Sequence, residues 1–286
     1  MMNKQFPIYR VDAFTPKPFS GNPAGVFLYP STLSSIQMQV IASEVNASET
    51  AFPVPLDNSS YQESSQFHLR WFTPEVEVPL CGHATLATAH VLFHEIGNPN
   101  EIVTFDTLSG NLIVRREGQN YSMDFPAGIP KQIDIARTVY DALGIEKESV
   151  VDNQYCDNPN KLIIVVDNEK DVRELSPDFA MLRNISHEYD VGSVVVTASS
   201  SNPDYDFISR NFAPVRGVNE DPVTGSSHVI LGPYWKTKLH KSHLIGFQAS
   251  SRGGSVIVDV LDDARVVLGG TAITVSSGEM LLPEDD

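Results

Sequence analysis

The sequence predicts an α+β fold with two structurally similar halves, and an internal repeat is the main reason. An R-x-F-x-P pattern begins at Arg70 and again at Arg210, 140 positions further along the chain. An E-x-P-aliphatic-x-G pattern begins at Glu77 and again at Glu220, 143 positions further along. The apolar segments are mostly short and strand-like, and they do not alternate regularly with helical ones, which favours α+β over a doubly wound sheet.

The first half contains two predicted helices. Ser31 is a candidate N-cap for the first helix. The apolar positions on one side of this helix are Leu33, Ile36, Val40 and Ile41. The second helix is predicted over 82–96, with Gly97 as its stop signal. The segments with strand patterns lie at 8–14, 48–53, 67–72 and 102–125.

The second half contains three predicted helices. The first covers 133–143 and ends at Gly144. The second is short and opens at Ser176, because the proline that follows is tolerated at the first helical position. The third begins near Gly225, and we expect Pro233 to interrupt or kink it. The strand segments lie at 161–167, 192–198, 205–210, 247–250, 255–260 and in the tail that follows.

The repeat predicts where the chain divides. We expect an N-terminal half at 1–125 and a C-terminal half at 126–286, with a return of the chain end to the first half left open. Each half carries one copy of the glycine turn, the first at 81–83 and the second at 221–226. We expect a cleft between the halves, faced by both copies.

Composition limits the classes of function. The 286 residues carry a formal net charge of −16, which argues against binding of nucleic acid or of an anionic membrane. Only two cysteines are present, so we expect no disulfide framework and a cytoplasmic location. No apolar segment has the pattern of a secretory signal or the length of a membrane span.

The two glycine turns are candidate anion sites. Gly82 and Gly225 each precede a predicted helix, where backbone N–H groups lack partners and the helix dipole favours negative charge. Such an end binds a carboxylate without a basic side chain, and glycine lets the ligand approach closely. The alternative is an ordinary strand-to-helix turn. The phosphate-loop, dinucleotide and hydrolase-elbow patterns are absent from these turns, and the spacing of Cys81 and His83 is poor for zinc.

Four polar residues near these turns are candidates for acid–base or binding roles. Glu49 leaves a predicted helix for a buried strand, and loss of solvent makes a carboxylate a better base. His83 could donate to a substrate oxygen or relay a proton. Asp221 could orient His83 or contact the substrate, and Ser226 could donate a hydrogen bond. The alternatives are an exposed helix-end glutamate, a capping or core histidine, a turn aspartate and a helix cap.

Other conspicuous residues have structural interpretations. Cys81 would need a partner thiol to act as in a two-thiol racemase, but Thr224 occupies the matching position, so we interpret Cys81 as a packing residue. Arg70 and Arg210 open matching strand ends. We expect them to form structural pairs with the glutamates of the following pattern, Glu77 and Glu220.

Taken together, the motifs resemble the PhzF-like (phenazine biosynthesis) isomerase family over most of the chain and in the right order. The segments that carry the resemblance are 19–26, 48–52, 70–74, 81–85 and 220–226. The resemblance implies the diaminopimelate-epimerase-like fold. In that fold each half is a curved, mostly antiparallel, barrel-like sheet around a central helix.

The resemblance also implies a function and a site. Glu49 matches the family's catalytic glutamate, which moves a proton between carbons, with His83 and Asp221 holding or relaying protons. Gly82, Gly225 and Ser226 match residues that bind the substrate. The family implies an isomerase of a small carboxylic acid without metal or organic cofactor, acting as a homodimer. A racemase, epimerase or dehydratase of the same fold and a non-catalytic protein that binds small acids remain as alternatives.

Overall fold

The computed structural model describes residues 4–56 and 59–282 and has the α+β architecture that the sequence predicts. Its strands are β1 (Lys4–Ala13), β2 (Asn22–Phe27), β3 (Glu49–Pro55), β4 (Gln66–Phe72), β5 (Glu77–Val78), β6 (Ile102–Thr107), β7 (Gly110–Glu117), β8 (Asn120–Pro126), β9 (Lys131–Gln132), β10 (Val150–Cys156), β11 (Lys161–Val166), β12 (Ser193–Ser199), β13 (Phe207–Ala213), β14 (Val218–Asp221), β15 (His243–Gln248), β16 (Gly254–Val260), β17 (Arg265–Gly270) and β18 (Ala272–Leu282). Its helices are α1 (Ser35–Val45), α2 (Gly82–His90), α3 (Arg137–Leu143), α4 (Glu169–Arg173), α5 (Phe179–Glu188) and α6 (Gly225–Leu239).

The described chain forms two units, and the end of the chain belongs to the first. Unit 1 comprises the described residues of Met1–Asp124 and Gly269–Asp286, and unit 2 is Phe125–Leu268. In unit 1, β1 pairs with both β18 and β2, and the order continues through β3, β4, β6 and β7 to β8. The β2–β3 and β4–β6 pairs are parallel and the others are antiparallel.

Unit 2 repeats this pattern of pairing. Its strands follow the order β9, β10, β11, β12, β13, β15, β16. The β11–β12 and β13–β15 pairs are parallel, at the places that correspond to β2–β3 and β4–β6. The short strands β5 and β14 pair with β4 and β13 respectively. The prediction of two pseudo-symmetric halves is therefore confirmed.

One buried helix packs against the sheet of each unit. Every residue of α2 from His83 to His90 is buried, and α2 contacts β1, β2, β3 and β18. In unit 2, α6 packs on β15 and β16. A helix that is buried all round needs no amphipathic stripe, and the alanines of α2 allow strands to approach it closely. Within the described ranges, no helix is both long and apolar enough to cross a membrane.

The repeated R-x-F-x-P and E-x-P patterns form matching ion pairs. Arg70 Nε donates to Glu77 Oε1 at 2.7 Å, and Arg210 Nε donates to Glu220 Oε1 at 2.7 Å. Each guanidinium makes a second hydrogen bond to the other oxygen of its partner and lies 5.1 Å from the centre of the phenylalanine ring two positions later. The pairs tie β5 to β4 and β14 to β13, as the structural interpretation of these residues predicts.

The prediction for α1 is wrong in its start and its buried face. The helix is capped by Ser34, not Ser31, because Gln37 three positions later completes a capping box with Ser34. Leu33 therefore precedes the helix. Ile36 and Val40 are exposed, while Met38, Ile41 and Ala42 face the core.

The expected interruption of α6 at Pro233 does not occur, since the helix continues to Leu239. A proline leaves the carbonyl four residues earlier without its helical donor. That carbonyl, of Val229, accepts a hydrogen bond from the backbone N–H of Gly128 at 3.0 Å. A tertiary contact thus satisfies the group that Pro233 leaves unpaired.

Smaller errors concern other boundaries in unit 2. Helix α3 begins at Arg137, later than predicted, and ends as predicted with Gly144 in the left-handed conformation. Helix α5 begins at Phe179, because Asp178 accepts hydrogen bonds from the next turn and acts as the N-cap. The proline after Ser176 therefore precedes the helix and does not open it.

Candidate active site

Glu49 lies where α1 gives way to β3. Helix α1 ends with Asn46 in the left-handed conformation, with φ of 48°, which turns the chain toward the sheet. Glu49 then opens β3 and pairs in parallel with Ala24 of β2. Its side chain is only 19% exposed. The alternative of a fully exposed helix-end glutamate is therefore wrong.

His83 brings the carboxylate of Glu49 and the thiol of Cys81 into one cluster. Nε2 of His83 lies 3.1 Å from Oε2 of Glu49. Nδ1 of the same ring lies 3.4 Å from Sγ of Cys81. The sequence singles out all three residues but does not predict these contacts. They arise because the second residue of α2 faces the first residue of β3.

Oε2 of Glu49 is buried and accepts no hydrogen bond, even though the imidazole is close. The short contact with His83 is therefore electrostatic, without the alignment of a hydrogen bond. A buried carboxylate oxygen without a donor is costly and is usually explained by function or by a missing ligand. The Glu49 side chain as a whole remains 19% exposed, so its carboxylate group can still be reached by a bound molecule.

The charges of the cluster follow from burial and proximity. Burial opposes the charged form of His83, but the negative charges that Cys81 and Glu49 can carry outweigh it and raise the pKa of His83 well above its ordinary value. Burial, together with the charge of Glu49, raises the pKa of the Cys81 thiol. Because these groups are in contact, the charge of each depends on whether its neighbours hold a proton.

The same three side chains have the donor types of a zinc site. Their ligand atoms all lie within 4.8 Å of one another. Sγ of Cys81 lies 3.4 Å from Nδ1 and 3.9 Å from Nε2 of His83, and Nε2 also lies 3.1 Å from Oε2 of Glu49. The three side chains are therefore in direct contact, as groups that exchange protons must be.

The first turn of α2 has backbone N–H groups available beside this cluster. Cys81 is the N-cap, but its side chain makes no capping hydrogen bond. A Cβ placed on Gly82 would meet no atom within 4 Å, so the space in front of this residue is open. An uncapped helix start with open space before it suits a carboxylate ligand.

The second glycine turn, in unit 2, is fixed by a glutamine that the sequence analysis missed. Gln248 is fully buried; its Oε1 accepts from the backbone N–H of Thr224 at 2.9 Å, and its Nε2 donates to the carbonyl of Asp221 at 2.6 Å. Asp221 also accepts a hydrogen bond from the hydroxyl of Thr224. Helix α6 then starts at Gly225, and the N-cap Thr224 makes no side-chain capping bond. Ser226 is the second residue of this helix.

A buried lysine is the other polar residue in unit 2 that sequence reasoning missed. Lys161 is 3% exposed, and its Nζ donates to Oγ of Ser193 at 2.8 Å. Burial and the charge of Arg216 lower the pKa of Lys161 to about 7, against the smaller opposing effect of Asp221. The only sequence signal is a lysine at the head of the five aliphatic residues that complete β11.

Comparison with known proteins decides the family. The family model for phenazine biosynthesis-like proteins, PhzC-PhzF, matches residues 11–278. The chain belongs to the PhzC-PhzF family. It is 45% identical over 278 residues to an uncharacterized isomerase of Halalkalibacterium halodurans, covering 96% of this chain and 98% of that protein.

Solved structures agree with this membership. A PhzF-family protein of Enterococcus faecalis is similar with a TM-score of 0.87 and 40% identity, over 98% of this chain and 100% of that one. A hydroxyproline epimerase of Agrobacterium vitis shares the fold, with a TM-score of 0.59 at 10% identity over 97% and 93% of the two chains. The predicted epimerase-like fold and the general assignment of this PhzC-PhzF protein as an isomerase are therefore confirmed.

Proposed function

We propose that this protein is a cofactor-independent isomerase of a small carboxylic acid, in which Glu49 moves a proton between two carbons of the substrate. The observation that carries the proposal is the state of Glu49 Oε2. It is buried, it accepts no hydrogen bond, and it lies 3.1 Å from a histidine with a raised pKa. Since the Glu49 side chain is still 19% exposed, its carboxylate can act as the base toward a molecule bound beside the cluster.

The reaction conserves every atom of the substrate. Glu49 Oε2 removes a proton from an activated carbon, and the electrons of the broken C–H bond move into an adjacent unsaturated system. The same glutamic acid then returns the proton to another carbon on the same face. No oxidant, reductant or co-reactant is needed, because the electron pair stays on the substrate and Glu49 gives back the proton that it removed.

His83 would stabilise the charge that changes during this transfer. The imidazolium balances the carboxylate of Glu49 before the transfer, and once Glu49 is protonated it can donate to a substrate oxygen that gains negative charge. The first turn of α2, at Gly82, would bind the substrate carboxylate. For Asp221, Gly225 and Ser226 we propose contacts with the substrate's polar groups. These contacts rest on the match to the family motif and on the uncapped start of α6.

An experiment with paired glutamate variants tests the proposal. Wild type, Glu49→Gln and Glu44→Gln are assayed against a panel of small unsaturated and amino carboxylic acids, with binding measured by calorimetry. Glu44 is an exposed glutamate of α1 and serves as the matched control. We expect Glu49→Gln to bind an acid without turnover and Glu44→Gln to behave as wild type. Undiminished turnover in Glu49→Gln would show that Glu49 is not the group that moves the proton.

One observation favours a second candidate function, a racemase, epimerase or dehydratase in which Cys81 serves as a second acid. The thiol lies 3.4 Å from Nδ1 of His83, so it could exchange a proton through the ring. Only this candidate predicts that Cys81→Ala, which removes the thiol without adding bulk to the cluster, abolishes turnover. A third possibility, binding without catalysis, predicts stabilisation by an acid with no conversion of any member of the panel.

We also propose that the protein is a cytoplasmic homodimer, as the family resemblance implies. Sedimentation equilibrium of the purified chain, whose monomer mass is 31.4 kDa, measures the oligomeric state directly. A monomer at micromolar concentration would contradict the dimer without affecting the assignment of Glu49.

A further inference from the structure

Unit 1 contains a cavity at the end of α2, lined by residues other than those of the Glu49 cluster. The cavity has a volume of about 400 Å³, within the range of small-molecule sites. Its lining includes His90, Glu95, Arg116 and Tyr121. His90 and Glu95 follow His83 by seven and twelve residues of helical chain, which places this lining roughly 10–18 Å from His83 along the helix.

A π-helical turn builds one wall of the cavity. After His90 the helix continues as a π-helix over Val91–Glu95, with the N–H of Ile96 bonded to the carbonyl of Val91 at 2.9 Å. This wider turn brings residues five positions apart to the same side, and Glu95 Oε1 lies 4.0 Å from His90 Nε2. In a regular α-helix these two side chains would point in different directions.

His90 cannot neutralise Glu95. Its Nδ1 lies 3.0 Å from the hydroxyl of Tyr121, and its Nε2 lies 3.2 Å from the hydroxyl of Thr274. Burial and the neighbouring His94 lower the pKa of His90 to about 4, so the ring is neutral at pH 7. Glu95 therefore contributes a negative charge that no cation among the described residues is recorded as pairing.

Arg116 contributes the opposite charge to the same cavity. Its guanidinium lies 5.0 Å from the centre of the Phe93 ring, which is stacked on Tyr121 with centroids 6.0 Å apart. No ion pair of Arg116 with a carboxylate is recorded within residues 4–56 and 59–282. The stacked rings orient the guanidinium and leave its N–H groups for a ligand.

We propose that this cavity binds a small zwitterion, an α-amino acid or a similar ammonium carboxylate. The ammonium group binds Glu95, the carboxylate binds Arg116, and the hydroxyls of Tyr121 and Thr274, held by His90, supply further hydrogen bonds. Cavity, opposite charges and ring platform all lie within unit 1. The inference goes beyond the proposed function, since it involves neither Glu49 nor His83.

The test uses L-leucine and L-serine, together with the amide and the N-acetyl derivative of each. Binding is followed by two-dimensional NMR of the wild-type protein and of Glu49→Gln, which separates this site from the proposed reaction. We expect a free amino acid to shift the resonances of His90 and Tyr121 in both proteins, and its amide and N-acetyl derivative to bind about tenfold or more weakly.

Substitutions at Arg116 and Glu95 test whether these two charged side chains bind the amino acid. Arg116→Gln and Glu95→Gln should each weaken binding about tenfold or more, while Arg115→Gln, on the exposed opposite side of β7, should bind as wild type. Unchanged melting temperatures show that the variants are folded. Absence of binding by both amino acids, equal binding of the N-acetyl derivatives, or shifts centred on His83 would each overturn the proposal.

Discussion

Ser193 occupies the position in unit 2 that Glu49 occupies in unit 1. Thr50 is paired with Phe72, and Val194 is paired with Phe212, where the two phenylalanines are the matching residues of the R-x-F-x-P repeat. Glu49 directly precedes Thr50 in β3, and Ser193 directly precedes Val194 in β12. The repeat has thus kept the strand pairing while the two units differ in chemistry.

Because unit 2 has Ser193 where unit 1 has Glu49, only unit 1 carries a carboxylate at the start of this strand. Glu49 faces an imidazole, whereas Ser193 accepts a hydrogen bond from the buried Lys161. The other matched positions diverge as well, with Cys81 and His83 in unit 1 against Thr224 and Ser226 in unit 2. A single proton-accepting carboxylate is consistent with a proton shift on one face of a substrate.

The charge of His83 predicts how activity depends on pH. Because the pKa of His83 is raised, the ring loses its proton only as pH rises through that raised value. We expect kcat to fall on this alkaline limb. In His83→Gln, kcat should be lower by about 10²-fold, and the limb should be absent. A variant that keeps the wild-type alkaline limb would show that another group titrates there.

Cys81 should be dispensable for turnover. Its thiol is buried and its pKa is raised, so less of it is present as the thiolate that would act as a base. We expect Cys81→Ala to retain kcat within about threefold, since the thiol has no acid–base role in the proposed shift. Cys156→Ala, which removes the other buried thiol, is the control. Loss of activity in Cys81→Ala alone would favour the racemase or dehydratase alternative.

The repeated ion pairs should stabilise the fold more than surface pairs do. The side chains of Arg210 and Glu220 are only 12% and 17% exposed and form a two-point contact. Lysine cannot make the two-point contact of the guanidinium, so we expect Arg210→Lys to lower the free energy of unfolding by about 1–2 kcal/mol. Lys131→Ala, in a pair with side chains 71% and 64% exposed, should cost much less, because solvent screens this pair. Urea denaturation measures both, and equal losses would contradict the expectation.

Lys161 should make stability rise with pH. Its pKa is lowered to about 7 in the folded protein but is about 10.4 in an unfolded chain. Between these values the unfolded state binds more protons, so the free energy of unfolding increases as pH rises from 7 to 10. In Lys161→Met this contribution, at most about 1.4 kcal/mol per pH unit, disappears. Urea denaturation at several pH values measures the slope, and the same slope in both proteins would show that Lys161 does not titrate in this range.

The fold could be predicted from sequence because its signals are repeated. The Arg–Glu pairs and the glycine turns occur twice at nearly one spacing, and each marks the same place in its unit. Predictions that rested on a single local signal were weaker. Ser31 and Ser34 are both acceptable caps, and only the capping box with Gln37 decides between them. Pro233 is tolerated through a contact with Gly128, more than 100 positions away in sequence.

The candidate site was predictable residue by residue but not as an arrangement. The motif match identifies Glu49 and His83, yet their contact depends on how α2 packs against β3. Gln248 and Lys161 were missed because a single buried polar residue forms no local pattern. Their roles appear only when the tertiary structure shows which buried groups they bond.

Hydrogen exchange in D₂O tests the central claim about Glu49 most directly. The protein is incubated with the panel of small carboxylic acids, including trans-2,3-dihydro-3-hydroxyanthranilate, and carbon-bound deuterium is followed by NMR. We predict that wild type and Glu44→Gln introduce deuterium at defined carbons of one acid, and that Glu49→Gln introduces none while still binding it. Deuterium incorporation by Glu49→Gln at the wild-type rate would contradict the account.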